Sequence, residues 1–423
     1  MTDVAAEIED AFAEDALPPV VEEDAVPLDL NRLFAWHRPR KQKVRESQWV
    51  ALTKGLLTKL QQSGALAAQD IQLPDGNVHI EPPEVRYLTL PGIDYLDVRL
   101  LGEAANELGF KLTSLGFLDE AMETRALARA RVRQEGLIQA GYISNRSNTL
   151  PRALESICWK DGDSLGQVRR QGPYHVVNID ACGSIAPVNA TQATRLIEAI
   201  HKIIEYQISA SRTRWLFFLT VDVRVGNLHD ATFEALCDAI RQNATASPEF
   251  AAAARDLFDP SAQLAFEDAL QAAKLKNERS TLDVFMLGLG KWLLHLIEPK
   301  LWTVRLKHSY CYSTSGAEDG AATMCSLAFE FHPPVPGLPD LLGASLLQPA
   351  PGGPPGDASM QIVGAAGEVQ DLDRLMEADE ALVAGLNLVT RRLLEEAGYH
   401  AAALQPFEDP GRSAKQRRFP DVL

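Results

Sequence analysis

From Val85 onward the chain alternates between short runs that are apolar at most positions and longer stretches with apolar residues at helical spacing. Val85–Leu90, Lys111–Gly116, Tyr142–Asn145, Tyr174–Asp180 and Trp215–Val223 read as five strands, the third of them weak. Between them, helices are expected over about 94–108, 120–139 and 190–210, the last with Leu196, Ile197, Ile200, Ile203, Ile204 and Ile208 at helical spacing. Trp215–Val223 is apolar at nearly every position, as a strand covered on both faces should be. Regular strand–helix alternation predicts a parallel sheet with helices on both sides. Residues 230–299 read as helical and Ala-rich. Trp302–Tyr312 and Met324–Phe331 then follow with no helix between them, joined by a Ser/Gly/Asp-rich loop over 313–321, which predicts an antiparallel pair. The expected fold is α/β: a doubly wound, mostly parallel seven-stranded sheet with a C-terminal antiparallel strand pair and helical additions at the ends.

Pro39 marks the start of an amphipathic helix running to about Gln62, with Val44, Trp49, Leu52, Leu56 and Leu60 available for one apolar face. Residues 69–83 read as loop or a short hairpin. Residues 333–368 are rich in Pro and Gly and read as a linker or extended wrap, Leu372–Ala397 as one helix, and Lys415–Arg418 as part of a basic tail. The expected organisation is an acidic tail (1–28), a basic and aromatic helical segment (29–84), the sheet core (85–333), and a linker, helix and tail (334–423).

Charge changes this picture in two places. The net charge is −16, but residues 1–28 hold nine acidic side chains and no Lys or Arg, so the rest of the chain is only mildly acidic. Overall charge is therefore no argument against an anionic partner. Trp36–Trp49 is the opposite: five cations and two tryptophans fall within fourteen residues. Arg38, Arg40, Lys41 and Arg45 suit phosphate groups, and Trp36 and His37 offer planar surfaces for stacking on an unpaired base, so this is the expected nucleic-acid-binding set. The plain structural alternative is a helix entering the domain, with Trp49 in the core and the cations solvated or paired with the acidic tail. The five cysteines are scattered with no C-x-x-C pair, and the nine histidines show no metal-ligand spacing, so neither a disulfide framework nor a metal site is expected. No uninterrupted apolar run of about eighteen residues occurs, and the N-terminus lacks a leader pattern. A cytoplasmic protein without a membrane segment is the expectation.

Five parallel-type strands followed by an antiparallel pair resemble the element order of class I S-adenosylmethionine-dependent methyltransferases, over roughly Val85–Pro333. In that family the cofactor lies across the carboxyl ends of the first, second and fourth strands. Thr89-Leu90-Pro91-Gly92 matches the position of the family's glycine-rich turn, although only one glycine is present. The resemblance therefore implies S-adenosylmethionine contacts at Leu90, Pro91 and Gly92. It places a ribose-binding carboxylate near Asp119, displaced slightly from the family position. Asp180-Ala181-Cys182-Gly183 matches the loop after the fourth strand, and Asp180 becomes the expected catalytic residue, orienting or deprotonating the methyl acceptor. The implied acceptor is nucleic acid if the basic segment lies along the cleft. The alternative is a non-catalytic partner protein that keeps the fold and has lost the cofactor. A GxGxxG dinucleotide fingerprint and a Walker A loop are both absent.

Overall fold

The computed structural model describes residues 37–67, 69–72, 78–119, 124–159, 162–181, 183–187, 195–274, 279–313, 322–334, 355–400 and 404. Trp36, Cys182 and both predicted tails lie outside the described residues.

The first helical stretch is α1 (Pro39–Val44), a wide π-type turn over Arg45–Val50, and α2 (Ala51–Gln62). Pro39 starts it, as expected of a ring that fixes φ and lacks an N–H. The segment over 69–83 is a hairpin, β1 (Gln69–Gln72) with β2 (Val78–Glu81). The alternating core follows: β3 (Glu84–Thr89), α3 (Leu96–Glu107), β4 (Lys111–Phe117), α4 (Thr124–Gln139), β5 (Asn148–Leu150), α5 (Ser164–Gln171), β6 (Val176–Asp180), α6 (Arg195–Ala210) and β7 (Trp215–Asp222). Four helices come next: α7 (Asp230–Ala246), α8 (Pro248–Phe258), α9 (Phe266–Lys274) and α10 (Arg279–Ile297). Then come β8 (Thr303–Leu306), β9 (Tyr310–Tyr312), β10 (Met324–His332), α11 (Pro355–Gly367), β11 (Gln370–Asp371), α12 (Leu372–Ala378) and α13 (Glu380–Glu396).

The main sheet has nine strands, not seven, in the order β11-β9-β10-β7-β6-β3-β4-β5, with β8 also on β10. β3, β4, β5, β6 and β7 are mutually parallel, and β10 runs antiparallel to β7, β8 and β9. The expected strand 302–312 is split because Leu306 pairs Phe329 and Tyr310 pairs Ser326, leaving three residues opposite two. That extra residue is a β-bulge, which bends the strand and turns the His308 carbonyl aside. β11 adds a parallel strand on β9.

Other boundaries moved for local reasons. The expected third strand at 142–145 makes only an isolated bridge from Ile143, and the pairing strand is 148–150. The Pro/Gly-rich 333–368 contains helix α11 rather than only linker. The predicted helix 372–397 is broken at Asp379, whose carboxylate accepts the Leu382 N–H and so starts α13.

Side chains alternate across the sheet, and each face has its own core. On one face α1–α4 cover Val85, Tyr87, Leu112, Val176, Leu216, Phe218 and Ala328. On the other, α6–α11 cover Leu88, Leu115, Val177, Ile179, Phe217, Leu219, Leu327 and Phe329. β7 is buried along its whole length, and Trp215 stacks on Phe331 of β10 with ring centroids 4.0 Å apart. Among the described residues, Arg279–Lys300 is the one helical stretch long and apolar enough to cross a membrane, and 67% of its apolar window is buried. It is the central helix of the second core.

Candidate functional site at the carboxyl ends of the strands

β3 lies between β4 and β6, so the chain leaves it towards opposite edges of the sheet. Such a switch point opens a crevice outside the carboxyl ends of the strands, which is where open α/β sheets bind ligands. The sequence-predicted residues stand there. Leu90, Pro91 and Gly92 follow β3, Asp119 follows β4, and Asp180 ends β6. Gly92 has φ +58, a left-handed turn that favours glycine. Pro91 is buried, and a Cβ on Gly116 of β4 would come within 3.0 Å of its ring, so the turn leans across the end of β4. Asp119 is exposed. Two strand spacings separate it from Asp180, about 10 Å, so the two acids stand too far apart to share one atom.

The strands that end here carry polar residues on alternating positions of one face. Tyr87 and Thr89 on β3, Asn178 on β6, Thr220 and Asp222 on β7 and Ser326 on β10 are all buried, and Asp180 is nearly so. The Tyr87 and Thr89 hydroxyls donate to the Asp97 carboxylate at 2.6 and 2.7 Å, and the Asn178 amide donates to the Tyr87 oxygen at 2.9 Å. Burial pushes the Asp97 carboxyl up against the opposing pull of these bonds and of the Arg45 charge. Asn178 Oδ1 and Trp49 Nε1 are buried with no hydrogen-bond partner among the described residues. Sequence reading missed this layer, although the signal was present: Asn178-x-Asp180 and Thr220-x-Asp222 interrupt otherwise apolar strands at period two.

Above this layer lies the basic segment, and here the structure corrects the expectation of a cationic surface. His37, Lys41 and Arg45 are buried. Lys41 Nζ donates to Asp180 Oδ1 at 2.5 Å and sits 5.0 Å from the centroid of the Trp49 ring. Arg40 pairs with Asp373, and Arg38 is partly buried. These side chains are in the interior because the sheet end offers carboxylates, and a buried carboxylate requires a cation. Gln48, on the wide turn, donates to the carbonyls of His308 and Ser326 and accepts from the Ser326 hydroxyl, so the bulge on the far strands fixes the turn. Trp49 is in the core against Phe218, as the structural alternative expected.

Asp94 stands two residues after Gly92 in the turn that follows β3. It is 2% exposed and contacts His37 Nε2 at 2.9 Å, the Tyr399 hydroxyl at 3.1 Å, Arg129 at 3.8 Å and Arg133. Arg133 also donates to the carbonyls of Ile93 and Ala397. Burial outweighs the Asp94 carboxylate and pulls the His37 imidazole below its usual range, so His37 is neutral at pH 7. One carboxylate thus ties the expected cofactor turn to α4 and to both terminal segments. No group of three or more metal-ligating side chains occurs among the described residues.

No curated protein and no solved structure matches the sequence. A family model described as PP_RS20740-like matches residues 30–409, a span that includes both terminal segments held by Asp94, and the chain belongs to that family.

Proposed function

We propose that this chain is a methyltransferase-like protein that binds S-adenosylmethionine at the carboxyl ends of β3, β4 and β6. The observation that carries this reading is the strand arrangement. Five parallel strands are followed by an antiparallel pair, and the switch point at β3 brings Gly92, Asp119 and Asp180 to one edge. The residues fit such a ligand. The left-handed turn at Gly92 lets backbone approach it, Asp119 is accessible for ribose hydroxyls, and Asp180 with the unpartnered Asn178 Oδ1 offers acceptors to a cationic centre. The cofactor would supply a methyl group activated on a sulfonium. Asp180 would orient the acceptor or take its proton, which is positioning chemistry rather than covalent catalysis.

A nucleic-acid acceptor would have to reach the site without His37, Lys41 and Arg45, which are interior in this form. A second reading, a non-catalytic partner protein built on the same sheet, is favoured by the ion pair at Asp180 and the clamp at Asp94. Equilibrium binding of labelled S-adenosylmethionine to the folded protein separates the two. Saturable binding that Asp180→Ala weakens supports the first. Absence of binding at millimolar ligand overturns it and leaves the partner protein.

A further inference from the structure

We propose that Lys41 is a displaceable internal counter-ion for Asp180, so that the site selects a ligand carrying a positive charge and binds it only by displacing the chain's own ammonium group. The inference rests on the reading of this edge as a ligand site, and it names how that site is regulated.

The Lys41 ammonium and the Asp180 carboxylate meet at 2.5 Å with side-chain exposures of 4% and 13%. Two charges withdrawn from water into a pair gain little net stability, because desolvation offsets most of their attraction. Exchanging one cation for another at Asp180 is therefore cheap. Lys41 can leave Asp180 without its backbone moving, because its ammonium ends a flexible four-carbon stem. The one buried aliphatic side chain of α1 is Val44. Its other anchors are polar: His37 on Asp94, Arg40 on Asp373 and Lys41 on Asp180. The wide turn over 45–50 carries α1 on into α2 and is itself held by Gln48 and Trp49; π-type turns of this kind are frequent at functional sites. Trp49, within that turn, stays packed on Phe218 whether or not Lys41 leaves.

A second observation points to a ligand. Asn178 stands two residues before Asp180 on the same face of β6, fully buried, and its Oδ1 lacks a donor among the described residues. A buried amide oxygen without a partner costs free energy. A sulfonium set against Asp180 brings its positive charge and polarised C–H groups towards this oxygen as well, which the lysine does not do.

The test compares wild type, Lys41→Met, Lys41→Gln and Lys41→Arg by equilibrium binding of S-adenosylmethionine and of S-adenosylhomocysteine, whose sulfur is uncharged. Thermal melts establish that each variant is folded. Methionine keeps the stem beside the Trp49 ring without the charge, and glutamine is the second neutral variant should methionine fail to fold. Neutral variants should bind S-adenosylmethionine about tenfold tighter or more, the scale of one interior ion pair no longer in competition. They should gain less for S-adenosylhomocysteine, and Lys41→Arg should resemble wild type. Equal affinities across the four proteins overturn the inference and leave the cofactor reading standing. Weaker binding by the neutral variants also overturns it, by making Lys41 a ligand contact. No binding by any folded protein removes the cofactor reading and the inference together.

Discussion

Acidification should unfold this protein in part through His175, a residue far from the proposed site. His175 precedes β6, where its backbone links β3 to β7: its N–H donates to the Arg86 carbonyl and its carbonyl accepts from Leu216. The side chain adds a further bond, with Nδ1 accepting the backbone N–H of Arg86 at 3.0 Å. That bond fixes the neutral tautomer with its proton on Nε2, since a protonated Nδ1 has no lone pair to offer. Burial, with a smaller contribution from the Arg86 charge, moves the imidazole down from 6.5 to about 4. The sign follows from linkage. Between these two values the unfolded chain binds a proton that the folded chain refuses, so the stabilisation is complete above pH 6.5 and is lost as pH falls towards 4. A displacement of two to three pH units corresponds to about 3 kcal/mol. Urea unfolding of wild type and of His175→Asn between pH 7.5 and 4 measures it. The Asn carbonyl keeps an acceptor for the Arg86 N–H but does not titrate. The stability difference between the two proteins should change by about 1.4 kcal/mol per pH unit over the window. Parallel curves would refute the reasoning, because the histidine would then share one pKa in both states.

Two further substitutions test the packing argument. Arg133→Met leaves Asp94 with one guanidinium fewer and two carbonyls unmet, so it should cost about 3 kcal/mol in denaturant unfolding. Adding Asp94→Asn should recover part of that loss; a strictly additive double mutant counts against the clamp. Gly288→Ala places a methyl 2.6 Å from the Leu236 Cβ where α10 crosses α7, and should cost about 1–3 kcal/mol with a lowered melting temperature. An unchanged melt would mean that the two helices do not approach as closely as described.

The sheet was largely legible in the sequence because strands covered on both faces advertise themselves. Trp215–Val223 and Met324–Phe331 are apolar almost throughout, and the second pairs antiparallel with both pieces of 302–312, as their order predicts. Less visible was whatever depends on a single side chain meeting backbone. The break at Asp379 is a capping bond, and the split of 302–312 is a one-residue bulge; neither alters the hydrophobic pattern. The strand at 148–150 is three residues long, too short for period-two alternation to register. At the site, the strand ends gave Gly92 and Asp180 their places. The cations of the basic segment were misplaced because composition reports how many charges a segment has, not where their counter-charges lie. Asp180, Asp373 and Asp94 are distant in sequence from the residues they hold.

The Asp94 clamp has a consequence for how the protein comes into being. Asp94 meets His37 across 57 positions of sequence and Tyr399 across 305. A growing chain can form β3, α3 and β4 early, since their contacts are near neighbours in sequence. The turn at the head of that sheet nevertheless waits for a residue made 305 positions later. Until Tyr399 emerges, Asp94 has its arginines but not the tyrosine hydroxyl. Ribosome-bound chains halted before and after residue 399 should therefore share a formed sheet yet differ in protease resistance around residues 37–45 and 90–95.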